Sequence, residues 1–172
     1  MTVFSGQKAR ASDYNNLLNE NSPLPLGIIA RGNRTTNSTT TTTEVGVLRL
    51  DDIPMYAGRT YKIWTSALTL DTSVAADVAA ANLRYTTDGS TPTTSSTILT
   101  AAQAPLANAT SGNSVTIIID YSPATDTLFS VLLTVTRVSG TGNISIAGAA
   151  TAPIDMVIED IGLDPTDTGT DI

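Results

Sequence analysis

The sequence predicts an all-β protein: an antiparallel β-sandwich or jelly roll of about eight strands, preceded by an N-terminal arm with a short helix. Three observations carry this. From Leu26 onward the apolar residues recur at every second position instead of every third or fourth. The runs they form are rich in β-branched Thr, Val and Ile, which suit a pleated, half-buried surface. Turn signals such as Asp88-Gly89 and Gly140-Thr-Gly142 separate the runs at the spacing of sandwiches and jelly rolls. The chain divides accordingly into an attachment arm (1–26), a β-sandwich domain (27–162) and a flexible acidic tail (163–172).

The arm is the part that reads as helical. Ser12 can cap a helix through its hydroxyl, and Asp13 then meets the positive end of the helix dipole. Tyr14, Leu17 and Leu18 follow at i, i+3, i+4 and so share one face of a helix from about Ser12 to Glu20. A helix this short is unstable alone in water and must dock on something. Pro23 and Pro25 stop it and hold the linker extended.

The strands follow in order. Gly27–Arg34 is the first, and the Thr-rich run 35–43 is polar on both faces, so it forms an edge strand or a loop but no central strand. Glu44–Asp51 alternates as a second strand, and Ile53–Gly58 connects it to the next. Arg59–Leu70 reads as one long strand with apolar groups on both faces, Tyr61, Ile63 and Ala67 on one and Trp64, Leu68 and Leu70 on the other. Trp64, the sole tryptophan, is therefore a candidate anchor in the core or at a subunit interface. Residues 72–81 read as a loop, Asn82–Thr87 as a strand, and Asp88-Gly89 with Pro92 as a hairpin turn. Residues 101–113 read as a loop. Ser114–Tyr121, Thr127–Val138, Asn143–Ala147 and Ile154–Ile161 complete the set, with Phe129, Val131, Leu133 and Val135 sharing one face.

Composition excludes several chemistries. With no Cys and no His, the chain has no disulfide, no thiol nucleophile, no His-based triad and none of the commonest zinc ligands. The net charge of −7 is uneven: 1–62 carries seven basic and five acidic side chains, 63–172 two basic and eleven acidic. An acidic body argues against nucleic acid, whose phosphates require clustered Lys and Arg. No apolar signal-peptide core opens the sequence and no run reaches bilayer-spanning length, so a soluble protein made in a cytoplasm, without a membrane partner, is expected. Asp51-Asp52 and Glu159-Asp160 are neighbours whose side chains point to opposite faces of a strand, and Asp88, Asp120 and Asp126 lack the spacing of a calcium loop. No catalytic, cofactor-binding or metal site is therefore assigned, and the chain reads as a non-enzyme.

The pattern Phe4-Ser-Gly-Gln-Lys-Ala-Arg-Ala-Ser-Asp-Tyr-Asn15 resembles the opening of small structural proteins of tailed bacteriophages, among them minor tail proteins, head fibres and head decoration proteins. The Thr-rich strands ending in Met156-Val-Ile-Glu-Asp-Ile-Gly162 are similar to the same group. The resemblance implies a trimeric jelly-roll domain behind an arm whose Phe4, Tyr14, Leu17 and Leu18 contact the virion. It also implies the major capsid protein or other virion proteins as partners, and the virion as location. Leu83–Thr93 resembles a structural motif of small immunoglobulin-like modules attached to bacterial carbohydrate-active enzymes. Two functions are thus expected. The first is a capsid decoration or head-fibre protein. The alternative is a minor tail or receptor-binding protein, or a carbohydrate-binding adhesion module that meets a host-surface glycan.

Overall fold

The computed structural model describes residues 24–109 and 112–163. Among these there is no helix, and the helix expected at 12–20 lies outside them, as does the tail from 164. Eleven strands form: β1 (Gly27–Arg34), β2 (Val45–Met55), β3 (Arg59–Thr65), β4 (Leu68–Thr72), β5 (Asp77–Thr86), β6 (Thr97–Leu106), β7 (Asn113–Val115), β8 (Ile118–Tyr121), β9 (Thr127–Ser139), β10 (Ile144–Ala147) and β11 (Ile154–Leu163). They make three antiparallel sheets in a sandwich-like arrangement, ordered β1-β11-β3-β8, β10-β4-β7 and β2-β9-β5-β6.

The count exceeds the expected eight largely because strand paths break on one side of the sandwich. Arg59–Leu70 is the instructive case. Tyr61, Ile63 and Thr65 of β3 are buried, and so are Leu68, Leu70 and Thr72 of β4. Inward positions are odd-numbered before Ser66-Ala67 and even-numbered after it. A run that looked apolar on both faces is two strands, each apolar on one face, with the chain passing from one sheet to the next at the slip. The paths β7–β8 and β10–β11 cross between the same two sheets. The sheet β2-β9-β5-β6 has no such break, although β2 carries two register shifts against β9.

Two loop expectations are also corrected. Residues 101–106 belong to β6, where Ala102 and Ala104 lie opposite Ala81 and Ala79 of β5. Alanine has little strand preference of its own, and this small-on-small pairing overrides it. β5 likewise starts at Asp77, inside the stretch read as loop. The Thr-rich run 35–43 stays outside the named strands and lies along β10, with Ser38 N–H donating to the Ile146 carbonyl and Thr41 N–H to that of Ile144, both at 2.9 Å.

The core lies between the layers. Phe129, Val131, Leu133 and Val135 of β9 are fully buried, as their shared parity predicts. Tyr121 of β8 meets Phe129 at 5.0 Å between ring centroids, and Tyr85 of β5 stacks on Phe129 at 5.7 Å, so the three rings bridge the two sheets. Elsewhere the layers come close enough that a methyl group on Gly32 of β1 would sit 2.9 Å from the Leu50 side chain of β2.

Candidate functional site

Both described chain ends of the domain meet at one pole of the sandwich. Arg59 opens β3 with its side chain fully buried, and its guanidinium forms a two-pronged ion pair with Asp160 of β11, Nε to Oδ2 and Nη2 to Oδ1 each at 2.7 Å. Nη2 also donates to the Leu24 carbonyl at 2.9 Å, while Leu163 lies opposite Arg59 in the ladder. The hydrogen bonds from Arg59 to Asp160 raise its already high pKa, against the opposing effect of burial, and the cation persists at any ordinary pH. Gly162 N–H adds a bond to Asp160 Oδ1 at 2.9 Å. Beside the pair, Leu26, Ile29, Ile53, Pro54, Tyr56 and Tyr61 line a small cavity of about 220 Å³. Here Tyr61 accepts the Tyr56 N–H at 2.8 Å, and its desolvation pushes the phenol pKa up. The arm residues Phe4, Tyr14, Leu17 and Leu18 lie outside the described residues, so the structure supplies only the point from which their segment departs.

Trp64 is half-buried and faces away from the core, on the outer side of β1-β11-β3-β8. In register it stands between Val157 of β11 and Ile118 of β8, with Arg31 of β1 beyond Val157. Val157 is buried in this row, whereas Ile118 is 65% exposed. The next row along the strands is Ile28, Glu159, Lys62 and Asp120, which sets Lys62 between two carboxylates. Asp155 is paired with Arg31 at 3.3 Å through Oδ2, and its Oδ1 is buried without a hydrogen-bond partner among the described residues. The outer face thus carries an apolar stripe, flanking charges and one unsatisfied acceptor.

The aspartates weighed for calcium are otherwise engaged. Asp88 accepts from the Ser90 N–H at 3.0 Å and the Ser90 hydroxyl at 2.6 Å, which lowers its pKa, and Asp126 accepts from Ala57 N–H at 2.9 Å. Asp120 lies across from Lys62. Among the described residues no group of three or more Asp or Glu side chains gathers where a metal could sit. The Asp88-Gly89 turn bounds an open polar groove of about 360 Å³, lined by Tyr85, Thr86, Thr87, Asp88, Ser95, Ser96 and Thr97.

Two polar sites, one buried and one partly buried, escaped the sequence reading. Asp77, at the start of β5, is buried and accepts from Thr141 N–H at 2.8 Å, from Gly142 N–H and from the Thr72 hydroxyl. The Thr72 bond leads in depressing its pKa, burial opposes it, and the two loop amides assist. Gly140 has φ +101° and wraps the loop over the carboxylate so closely that a side chain there, or at Gly142, would strike it. The second is Glu44, held by Arg84 Nε and Nη2 at 2.6 Å each, by Thr134 Oγ1 at 2.5 Å and by Asn82 Nδ2 at 3.2 Å. Isolated charges were the available signal for both, Asp77 among Val and Ala residues and Glu44 directly after a run of threonines.

Comparison with known proteins gives limited matches. A family model described as Fn3 associated matches residues 68–111, which run from β4 through the Asp88-Gly89 turn and β6. No curated protein matches the chain. Among solved structures, a chain of infectious bursal disease virus, Gt strain, is similar over 83% of this chain and 38% of its own length, at 12% identity and a TM-score of 0.41. A chain of the infectious bursal disease virus VP2 subviral particle is similar over 77% and 37%, at 11% identity and a TM-score of 0.40. The chain therefore spans well under half the length of both.

Proposed function

We propose that this is a non-catalytic virion structural protein of a tailed bacteriophage, a trimeric capsid decoration or head-fibre protein that anchors through its N-terminal arm. The observation that carries the reading is the rooting of the arm. The segment bearing the phage-like Phe4–Asn15 pattern joins the domain at Leu24, whose carbonyl is held by a buried, ion-paired arginine. A rigid root lets apolar arm residues seat in a shell while the sandwich projects outward. The connectivity fits the jelly-roll domain expected behind such an arm. Joining β3–β4, β7–β8 and β10–β11 leaves eight strand paths, and their order in the two facing layers is that of a jelly roll.

The reading is tested on particles. An antibody against the β-domain should label heads of intact virions, and protein lacking residues 1–22 should fold with an unchanged melting temperature yet fail to add to particles. Label confined to the tail tip would instead support the receptor-binding alternative, and unimpaired addition of the truncated protein would overturn anchoring by the arm. A second reading, a glycan-binding module, is favoured by the polar groove at the Asp88-Gly89 turn. It requires glycan-array binding that a substitution in the groove, such as Tyr85→Ala, abolishes in a folded protein.

A further inference from the structure

A strand at the edge of a sheet offers a row of free backbone donors and acceptors, and stable monomers blunt such edges with charges, proline, bulges or short length. Most edges here are blunted. β1 carries Arg31 and Arg34 and a register shift, β8 is four residues long and bears Asp120, and β7 and β10 have three and four residues. β2 carries the Arg49–Asp51 pair, Asp52 at φ +55°, Pro54 and two register shifts. β6 is the least blunted: it bears no charged side chain, and it carries a single register shift against β5, opposite Leu83 and Arg84. It is ten residues long, pairs with β5 on one side, and among the described residues has no strand on the other. Pro105 and the Asn113 side chain, which donates to the Pro105 carbonyl at 3.1 Å, close only its end. Among the described residues no strand pairs with Thr97–Gln103 on the outer side.

The charge pattern identifies the occupant. Copies of an acidic chain repel one another, yet no charged side chain occurs between Asp88 and Asp120, the segment that contains all of β6. The neighbouring Arg84 is already neutralised by Glu44. Outward-facing residues on β6 are Ala101 and Gln103, with Ile98 47% exposed. We propose that β6 pairs with β6 of a second copy, antiparallel about a two-fold axis, so that the two β2-β9-β5-β6 sheets continue into one. Such a contact is self-complementary because neither strand brings a charge to meet its own image. It is independent of the arm: in a trimeric protein the same contact links two trimers.

Sedimentation of the full chain should show an even-numbered assembly. The double substitution Ala101→Lys with Gln103→Lys, on exposed positions, should halve its mass while the variant still unfolds in one cooperative transition, at a midpoint that no longer depends on protein concentration. In the wild type, hydrogen exchange at the amides of 97–103 should slow as protein concentration rises through the association range. A mass that the double variant leaves unaltered would overturn the proposal. So would exchange at β6 that is independent of concentration, whether fast, as in an open edge, or slow, as in an edge covered by the chain's own arm or by another segment.

Discussion

Asp160 and Asp77 are both buried, and they are accommodated by different means. Asp160 faces a fully buried arginine in a two-pronged ion pair, with one backbone N–H added. Asp77 has a hydroxyl and two loop amides as its direct partners, with Arg137 contributing only a minor electrostatic effect. The difference follows from what each must hold. At the pole where the chain enters the domain at Leu24, Arg59 ties three separate pieces of chain: Leu24, β3 and β11. At the start of β5, Asp77 shapes a single tight loop, 139–142, whose amides converge on it because glycine at 140 permits the turn. An ion pair can join distant segments, whereas a carboxylate ringed by amides fixes a local backbone path. The pole at which Leu24 is held is therefore the one that depends on a paired charge.

The largest expected effect breaks the comparison at Arg59. Arg59→Met leaves Asp160 buried without its cation, and removing one partner of a buried pair typically costs about 3–5 kcal/mol. Urea denaturation should show this loss at neutral pH. Replacing both partners, Arg59→Met with Asp160→Leu, removes the orphaned charge and should recover much of the stability. Should the double variant be no more stable than the single one, the Leu24 anchoring and not the ion pair is the dominant contribution.

A smaller effect, with a pH signature, is expected at Asp77. Its folded-state pKa lies below its unfolded value of about 3.9. The sign is fixed by linkage: the carboxylate's contribution is complete above the unfolded pKa and is lost as pH falls through the folded one. Asp77→Asn should accordingly be less stable than wild type at pH 7, and the gap should close between about pH 4 and the acid limit of folding. A gap that stays constant down to low pH would mean that loop geometry, and not charge, sets the cost.

The same contrast explains what could be read in the sequence. Class and turns were legible because two-residue alternation and the Asp88-Gly89 and Gly140-Thr-Gly142 signals are local. The parity of β9 put Phe129, Val131, Leu133 and Val135 on one face, and that face is the buried one. The break at Ser66-Ala67 was not legible, since Ser and Ala interrupt no strand by themselves and only the partner strands reveal the slip. The outward placement of Trp64 was hidden for that reason: with β3 and β4 read as one strand, Trp64 shared a face with Leu68 and Leu70. Asp160 and Arg59 lie 101 residues apart, and no local pattern links them. The arm residues Phe4, Tyr14, Leu17 and Leu18 rest on their sequence pattern alone.

Glu44 sharpens the comparison at its weakest end. It is paired with Arg84 at 2.6 Å, as closely as Asp160 is with Arg59, but the two side chains are 17% and 13% exposed instead of buried. Solvent reaches this pair, so its Coulombic attraction is reduced, and an exchange of Glu44→Gln should cost only about 1 kcal/mol. Arg84 leads in holding the Glu44 carboxyl below its usual pKa, while burial opposes the shift, so this contribution too fades as pH falls through the folded value. Salt separates the sites further. Raising ionic strength to about 1 M shortens the screening length to roughly 3 Å. The destabilisation caused by Glu44→Gln should then shrink, while that caused by Arg59→Met persists, because ions cannot enter a site from which water is excluded. Equal salt sensitivity of the two variants would show that the Arg59–Asp160 pole opens to solvent in solution.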